Sequence, residues 1–179
     1  MPPGLRKFAL TAHIVSSVGW LGAVASFLTL AVAGLSTREP ERARAAYVAM
    51  ELTAWFVIVP LSLASPLTGF IQSFGTPWGL FQHYWIIAKQ VITIPATVFL
   101  LLHTPAISRL ADAAEDTALL SADFGRLKIQ LTADAGAAQL VLIVATALSV
   151  YKPRGMTRYG QRKQRAQRAV DAPAPRRDG

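Results

Sequence analysis

The sequence predicts an all-α protein, a four-helix transmembrane bundle with both termini cytoplasmic. Three observations predict it. Thirty consecutive residues, Phe8–Thr37, contain no Asp, Glu, Lys or Arg, and 37 more, Leu52–Ala88, contain none either. A bilayer-spanning helix needs about 20 predominantly apolar residues, so these two stretches alone exceed two spans. Half of the basic residues lie beyond Tyr151, where large apolar residues are scarce. The chain therefore divides into a transmembrane domain, 1–151, and a disordered basic tail, 152–179.

Helix one follows Arg6 and Lys7 and runs through the first uncharged stretch. It is too long for the apolar core of a cleaved signal, about 7–15 residues, and further spans follow it. Gly19, Gly22, Ala23 and Ser26 offer small-residue contacts, which let helices approach closely in lipid. A polar loop, Ser36–Arg44, comes next. Helix two is expected from about Ala45 to Ser73. Positions 51, 55, 58, 62, 65, 69 and 72 share helical spacing and read Glu, Trp, Ile, Ser, Ser, Gly and Gln. That comparatively polar face should point into the bundle, and Pro60 and Pro66 should kink it. The turn Gly75–Gly79 leads to helix three, from about Phe81 to Leu110, with Trp78, Tyr84 and Trp85 as an interfacial aromatic belt. The acidic stretch Asp112–Asp123 reads as an exposed loop or helix extension. Helix four runs from about Gly125 to Tyr151, with Ala133, Gly136, Ala137 and Ala138 suited to close packing.

Orientation follows from Lys and Arg. With four spans, the side holding both termini receives eleven basic residues and the other receives six. That places the chain in a bacterial plasma (inner) membrane as a multi-pass protein. The tail carries nine basic and two acidic residues, close to the whole excess of the chain's net +8. It reads as a topology anchor that touches anionic lipid, and not as a nucleic-acid surface. The absence of cysteine excludes a disulfide, a Cys-ligated zinc or iron–sulfur site and covalent c-type haem attachment. Only three methionines are present, Met1, Met50 and Met156, too few for a Met-rich copper(I) site.

Two polar groups of residues fall at two depths. Lys89 stands inside an apolar span, where a charged amine costs at least about 2.5–3.5 kcal/mol unless it finds a partner, water or the headgroups. His13 lies at the same level on helix one, with Thr68, Gln72 and His83 nearby. A His–Lys pair there could bind a haem, His13 as ligand and Lys89 as partner of a propionate. The alternatives are a snorkelling lysine and a histidine that hydrogen-bonds between helices. At the opposite level stand Glu51, His103 and Asp134, two carboxylates and an imidazole suited to a proton or ion site. Three separate interfacial residues would look the same. His103 shares a helix face with Lys89 but lies about 21 Å away along the axis. His13 and His103 therefore cannot ligate one haem.

The stretch His13-Ile14-Val15-Ser16-Ser17-Val18-Gly19-Trp20-Leu21-Gly22, the stretch Tyr84-Trp85-Ile86-Ile87-Ala88-Lys89 and the exit Tyr151-Lys152-Pro153-Arg154-Gly155 resemble an uncharacterised bacterial family of small integral membrane proteins, a domain of unknown function. The resemblance covers roughly residues 5–160 and implies a four-helix membrane fold without an assigned activity. More distantly, the His and Trp-small pattern of helix one and the Trp-x-x-x-Lys of helix three resemble the CopD-type copper-resistance domain and the HemJ-type protoporphyrinogen oxidase. The second resemblance implies haem binding, with functional positions matching His13 and Lys89. Helix one here lacks the Pro-Arg expected after Trp-small, a departure that bears on the reaction more than on the fold. Three functions are expected on these grounds: a haem- or tetrapyrrole-linked redox protein, a non-catalytic membrane subunit or scaffold, and a proton or metal-ion conduit. Catalytic residues, substrate, partner proteins and oligomeric state are carried by no motif in the chain.

Overall fold

The computed structural model describes residues 2–75, 84–115 and 122–151, together with 155, 157, 159–162 and 165. Every regular element among them is helical. The chain forms α1 (Pro3–Ser36), α2 (Pro40–Thr53), a π-helical turn (Ala54–Ile58), α3 (Val59–Gly75), α4 (Tyr84–Glu115) and α5 (Ala122–Tyr151). Because α2, the π turn and α3 are continuous, these make four stretches long and apolar enough to cross a membrane. The aromatic turn with Trp78, the His83 position and most of the basic tail lie outside the described residues.

The second span begins five residues earlier than its sequence pattern suggests. Pro40 occupies the first turn of α2, where its fixed φ suits the helix and its missing N–H costs nothing. The polar loop thus shrinks to Thr37–Glu39, with the Thr37 hydroxyl accepting the Glu39 N–H at 3.2 Å. Arg42 pairs with Glu39 at 2.8 Å on the exposed side. At the other end of the third span, the acidic residues Asp112 and Glu115 are helical and extend α4.

The irregularity expected from Pro60 takes the form of the π turn. Pro60 has no N–H to give to the carbonyl one turn back, and its ring crowds that carbonyl. Widening the preceding turn relieves both, and the Val59 N–H reaches back to the Ala54 carbonyl. A π turn adds one residue to the helix and so rotates the segment before it relative to the segment after it. From the last residue of the turn onward the inward stripe is Ile58, Ser62 and Ser65, as the spacing predicts, all buried. Up to the first residue of the turn it is Ala43, Tyr47, Met50 and Ala54, one position off the Glu51–Trp55 face. Trp55 accordingly lies 46% exposed, with its indole N–H donating to Ser108 Oγ at 3.3 Å.

The spans form a ring in which α1 packs on α2, α3 and α5, and α4 packs on α2, α3 and α5. The main chains of α1 and α4 stay apart across the diagonal among the described residues. One half of the bundle is closely filled: Trp20, Val24, Phe27, Tyr47, Met50, Ile58, Ile107, Leu110, Leu131 and Leu142 share one core. Gly19 lets Leu61 come within 3.2 Å of where a Cβ would stand. Ala23 is buried, whereas Gly22 and Ser26 face outward. On α5, Ala135 and Ala145 are buried, Ala133 and Ala137 face outward, and Gly136 has open space beside it. The outer faces carry Phe8, Phe56, Leu102 and Val150, each at least 70% exposed. Such an apolar exterior on every span is what lipid covers. At the start of α4 the Tyr84 N–H donates to the Gly155 carbonyl at 3.4 Å, and Thr157 is buried.

Candidate functional site

The loosely filled half of the bundle contains a cavity of about 610 Å³ between α1, α3, α4 and α5. His13 and Lys89 meet in it across the diagonal, with Lys89 Nζ at 3.2 Å from His13 Nε2. Lys89 therefore turns inward to the imidazole, not along the helix to the headgroups. The other ring nitrogen, Nδ1, stands 3.0 Å from the Ser65 carbonyl and 3.1 Å from Thr68 Oγ1. A carbonyl can only accept, so Nδ1 carries the hydrogen. Thr68 is consistent with that, since its own hydroxyl donates to the Ala64 or Ser65 carbonyl and keeps lone pairs free. Nε2 then presents a lone pair, which the Lys89 amine meets as donor.

The shell that fixes the ring comes from α1 and α3. Ser17 and Ser65 join hydroxyls at 2.8 Å, and Gln72 Nε2 donates to the Ala9 carbonyl at 2.9 Å. Gly69 supplies the flat place against which the ring lies: a Cβ there would stand 3.2 Å from His13 Cε1. Thr93, one turn beyond Lys89, and Thr97 are buried on the same face of α4, and Thr97 Oγ1 can donate to the Ser62 carbonyl at 3.2 Å. Two cationic side chains, Arg6 and Lys89, line the cavity, and the described lining residues include no Asp or Glu.

The second group sits above Trp20 and Leu142, which border both cavities. His103 and Asp134 line a small space of about 70 Å³, with Nε2 and Oδ2 3.8 Å apart. His103 Nδ1 lies 2.9 Å from the Phe99 carbonyl, and its ring stacks on Phe99 at 3.9 Å between centroids. Asp134 Oδ2 is buried with no hydrogen-bond partner. Glu51 does not line this space; Ile58, two turns further along the same span, does. Among the described residues no three His, Cys, Asp or Glu side chains stand close enough together to hold a metal ion.

Residues 8–153 match the family described as "Predicted integral membrane protein (DUF2269)". The chain belongs to that family. No curated protein and no solved structure matches it.

Within this DUF2269 chain, the sequence pattern anticipates the pairing of His13 with Lys89 and the company of Thr68 and Gln72. It also anticipates that His103 and Asp134 share a level. Ser65, Gly69 and Arg6 escape it as site residues. The face spacing of the second span already holds Ser65 and Gly69, but nothing local says that their backbone and missing side chain serve a histidine on another helix. Chemically, the site offers a ring nitrogen lone pair, a movable amine and a cationic rim around an apolar space.

Proposed function

We propose that this protein binds a haem or another tetrapyrrole in the membrane, with His13 as the ligating side chain and Lys89 as the partner of an acid group. The observation that carries this reading is the held tautomer of His13. Donation from Nδ1–H to the Ser65 carbonyl orients the ring and leaves the Nε2 lone pair inside a roomy cavity. Metal-ligating histidines are typically fixed through their other ring nitrogen in this way. The donor set fits the group in two further respects. The lining is mostly apolar, which suits the macrocycle, and its charged members are both cations, which suits carboxylates. Lys89 Nζ meets Nε2, and its flexible stem lets the amine turn to a carboxylate instead. When bound, a haem would supply one-electron redox chemistry.

Both termini face the cytoplasm of a bacterial inner membrane, residues 1–151 make the membrane domain, and the basic tail, 152–179, meets anionic lipid. The deciding experiment is an absorption spectrum, oxidised and dithionite-reduced, of protein purified from its native membrane in mild detergent. A Soret band that shifts on reduction and disappears in His13→Ala is expected. A flat spectrum from well-folded protein, unchanged after haemin addition, overturns the reading.

A second reading is favoured by Asp134, whose buried Oδ2 has no hydrogen-bond partner and faces His103. A carboxylate and an imidazole so placed suit a proton site in a conduit. Proton flux into liposomes that survives replacement of Glu51, His103 and Asp134 together would remove it.

A further inference from the structure

We infer that the large cavity is loaded sideways from the lipid, through a window between α1 and α5, and that its ligand is a bilayer-dissolved amphiphile with acid groups. The inference deepens the tetrapyrrole reading of the same site and rests on it for the ligand's identity. The window itself rests on geometry alone. Of the described side chains lining the cavity, the exposed ones all belong to α1 and α5: Arg6, Leu10, Ile14 and Val18, and Thr146 and Val150. Lining residues from α3 and α4 are buried or half-buried. Among the described residues the opening is therefore on one side.

Side-chain size explains the gap. In the filled half, Leu131 and Leu142 of α5 belong to the core with Trp20, Val24 and Phe27 of α1. In the other half, α5 lines the cavity beyond Leu142 with Ala145, Thr146, Ser149 and Val150, the first three of them small. The rim is a stripe of four-residue steps on one helix face, with Leu10, Ile14 and Val18 being 48%, 51% and 59% exposed. Aliphatic rims are costly in water, at about 25 cal/mol per Å² of apolar surface, and cost nothing in hydrocarbon. Depth agrees with lipid: Ile14 is seven residues beyond Lys7, about 10 Å further into the bilayer at 1.5 Å per residue. Arg6 begins the same stripe at the headgroup level. An acid group could stay at Arg6 while an apolar body slides past Ile14, and a second acid could reach Lys89.

The chain has no cysteine, so single nitroxide labels can be placed cleanly at Ile14→Cys and Val18→Cys in proteoliposomes. Collisions with dissolved oxygen should exceed those with a water-soluble nickel chelate at both sites; the reverse order at both would make the mouth aqueous and overturn the window. Uptake of haemin from donor vesicles, followed by the Soret band, is the second arm. Narrowing the rim with Ile14→Trp or Thr146→Trp should slow entry and exit together, by about tenfold for a barrier raised by about 1.4 kcal/mol. Unchanged rates, or faster exit with unchanged entry, overturn the portal. If the unmodified protein takes up no haemin, the tetrapyrrole reading fails by itself and the nitroxide result still decides the window.

Discussion

The His13 ring is held by contacts from two other helices, α3 and α4, and single atoms decide what it can do. Its Nδ1 faces a backbone carbonyl at 3.0 Å, so the tautomer is set by main chain that no side-chain substitution at position 65 removes. Gly69 is the more exposed weakness. Alanine there favours the helix by about 1 kcal/mol in isolation, yet its Cβ would meet His13 Cε1 at 3.2 Å. Gly69→Ala is therefore expected to keep or raise the melting temperature in detergent while weakening haemin binding by several-fold, read from Soret titrations. A different result is expected at Gly34. A Cβ there would come within 2.8 Å of Tyr47 Cζ, in a ring that is 2% exposed and cannot swing clear. Gly34→Ala should cost about 1–3 kcal/mol as overpacking, measured as a lower thermal midpoint, with the His13 site unaffected. Lys89→Leu separates function from framework: a scaffold should fold and co-purify with its partners as before, whereas a tetrapyrrole site should lose affinity.

Helices in this protein are specified strongly by composition and weakly by face. The four apolar runs define the spans, since a backbone in hydrocarbon has to satisfy its hydrogen bonds internally. The faces depend on periodicity, and the π turn at Ala54–Ile58 breaks it by one residue. This is why Ser62 and Ser65 are legible as inward residues while Glu51 and Trp55 are not. Pro60 warns of a disturbance there, but a proline can be absorbed by a kink, a wide turn or a neighbour's hydroxyl, and sequence does not choose among them. Between elements the polar contacts are modest. Thr97→Val removes the α4–α3 hydrogen bond to the Ser62 carbonyl, and interhelical hydrogen bonds in membranes average about 0.6 kcal/mol with a maximum near 1.7. A small fall in resistance to unfolding in mixed micelles is the expected outcome, and a loss of several kcal/mol would mean that Thr97 carries more than this bond.

At the scale of the molecule, eleven basic residues on the terminal side against six on the other predict the orientation. A fluorescent protein fused after Gly179 should light up in the cytoplasm, and an alkaline phosphatase fused there should stay inactive; active phosphatase would invert the topology. The sequence alone determined that this chain has four segments long and apolar enough to cross a membrane, because apolar length is a property of each segment by itself. It also placed His13 level with Lys89, and His103 level with Asp134, because depth along a helix follows from counting residues. Only the tertiary structure decided that Lys89 reaches the histidine instead of the headgroups, that Glu51 stands off the His103–Asp134 space, and that small residues on α5 leave a cavity open beside α1. Those outcomes depend on rotation and separation of helices. In lipid no hydrophobic drive pulls spans together, so rotation and separation are set by side-chain fit between segments far apart in the chain.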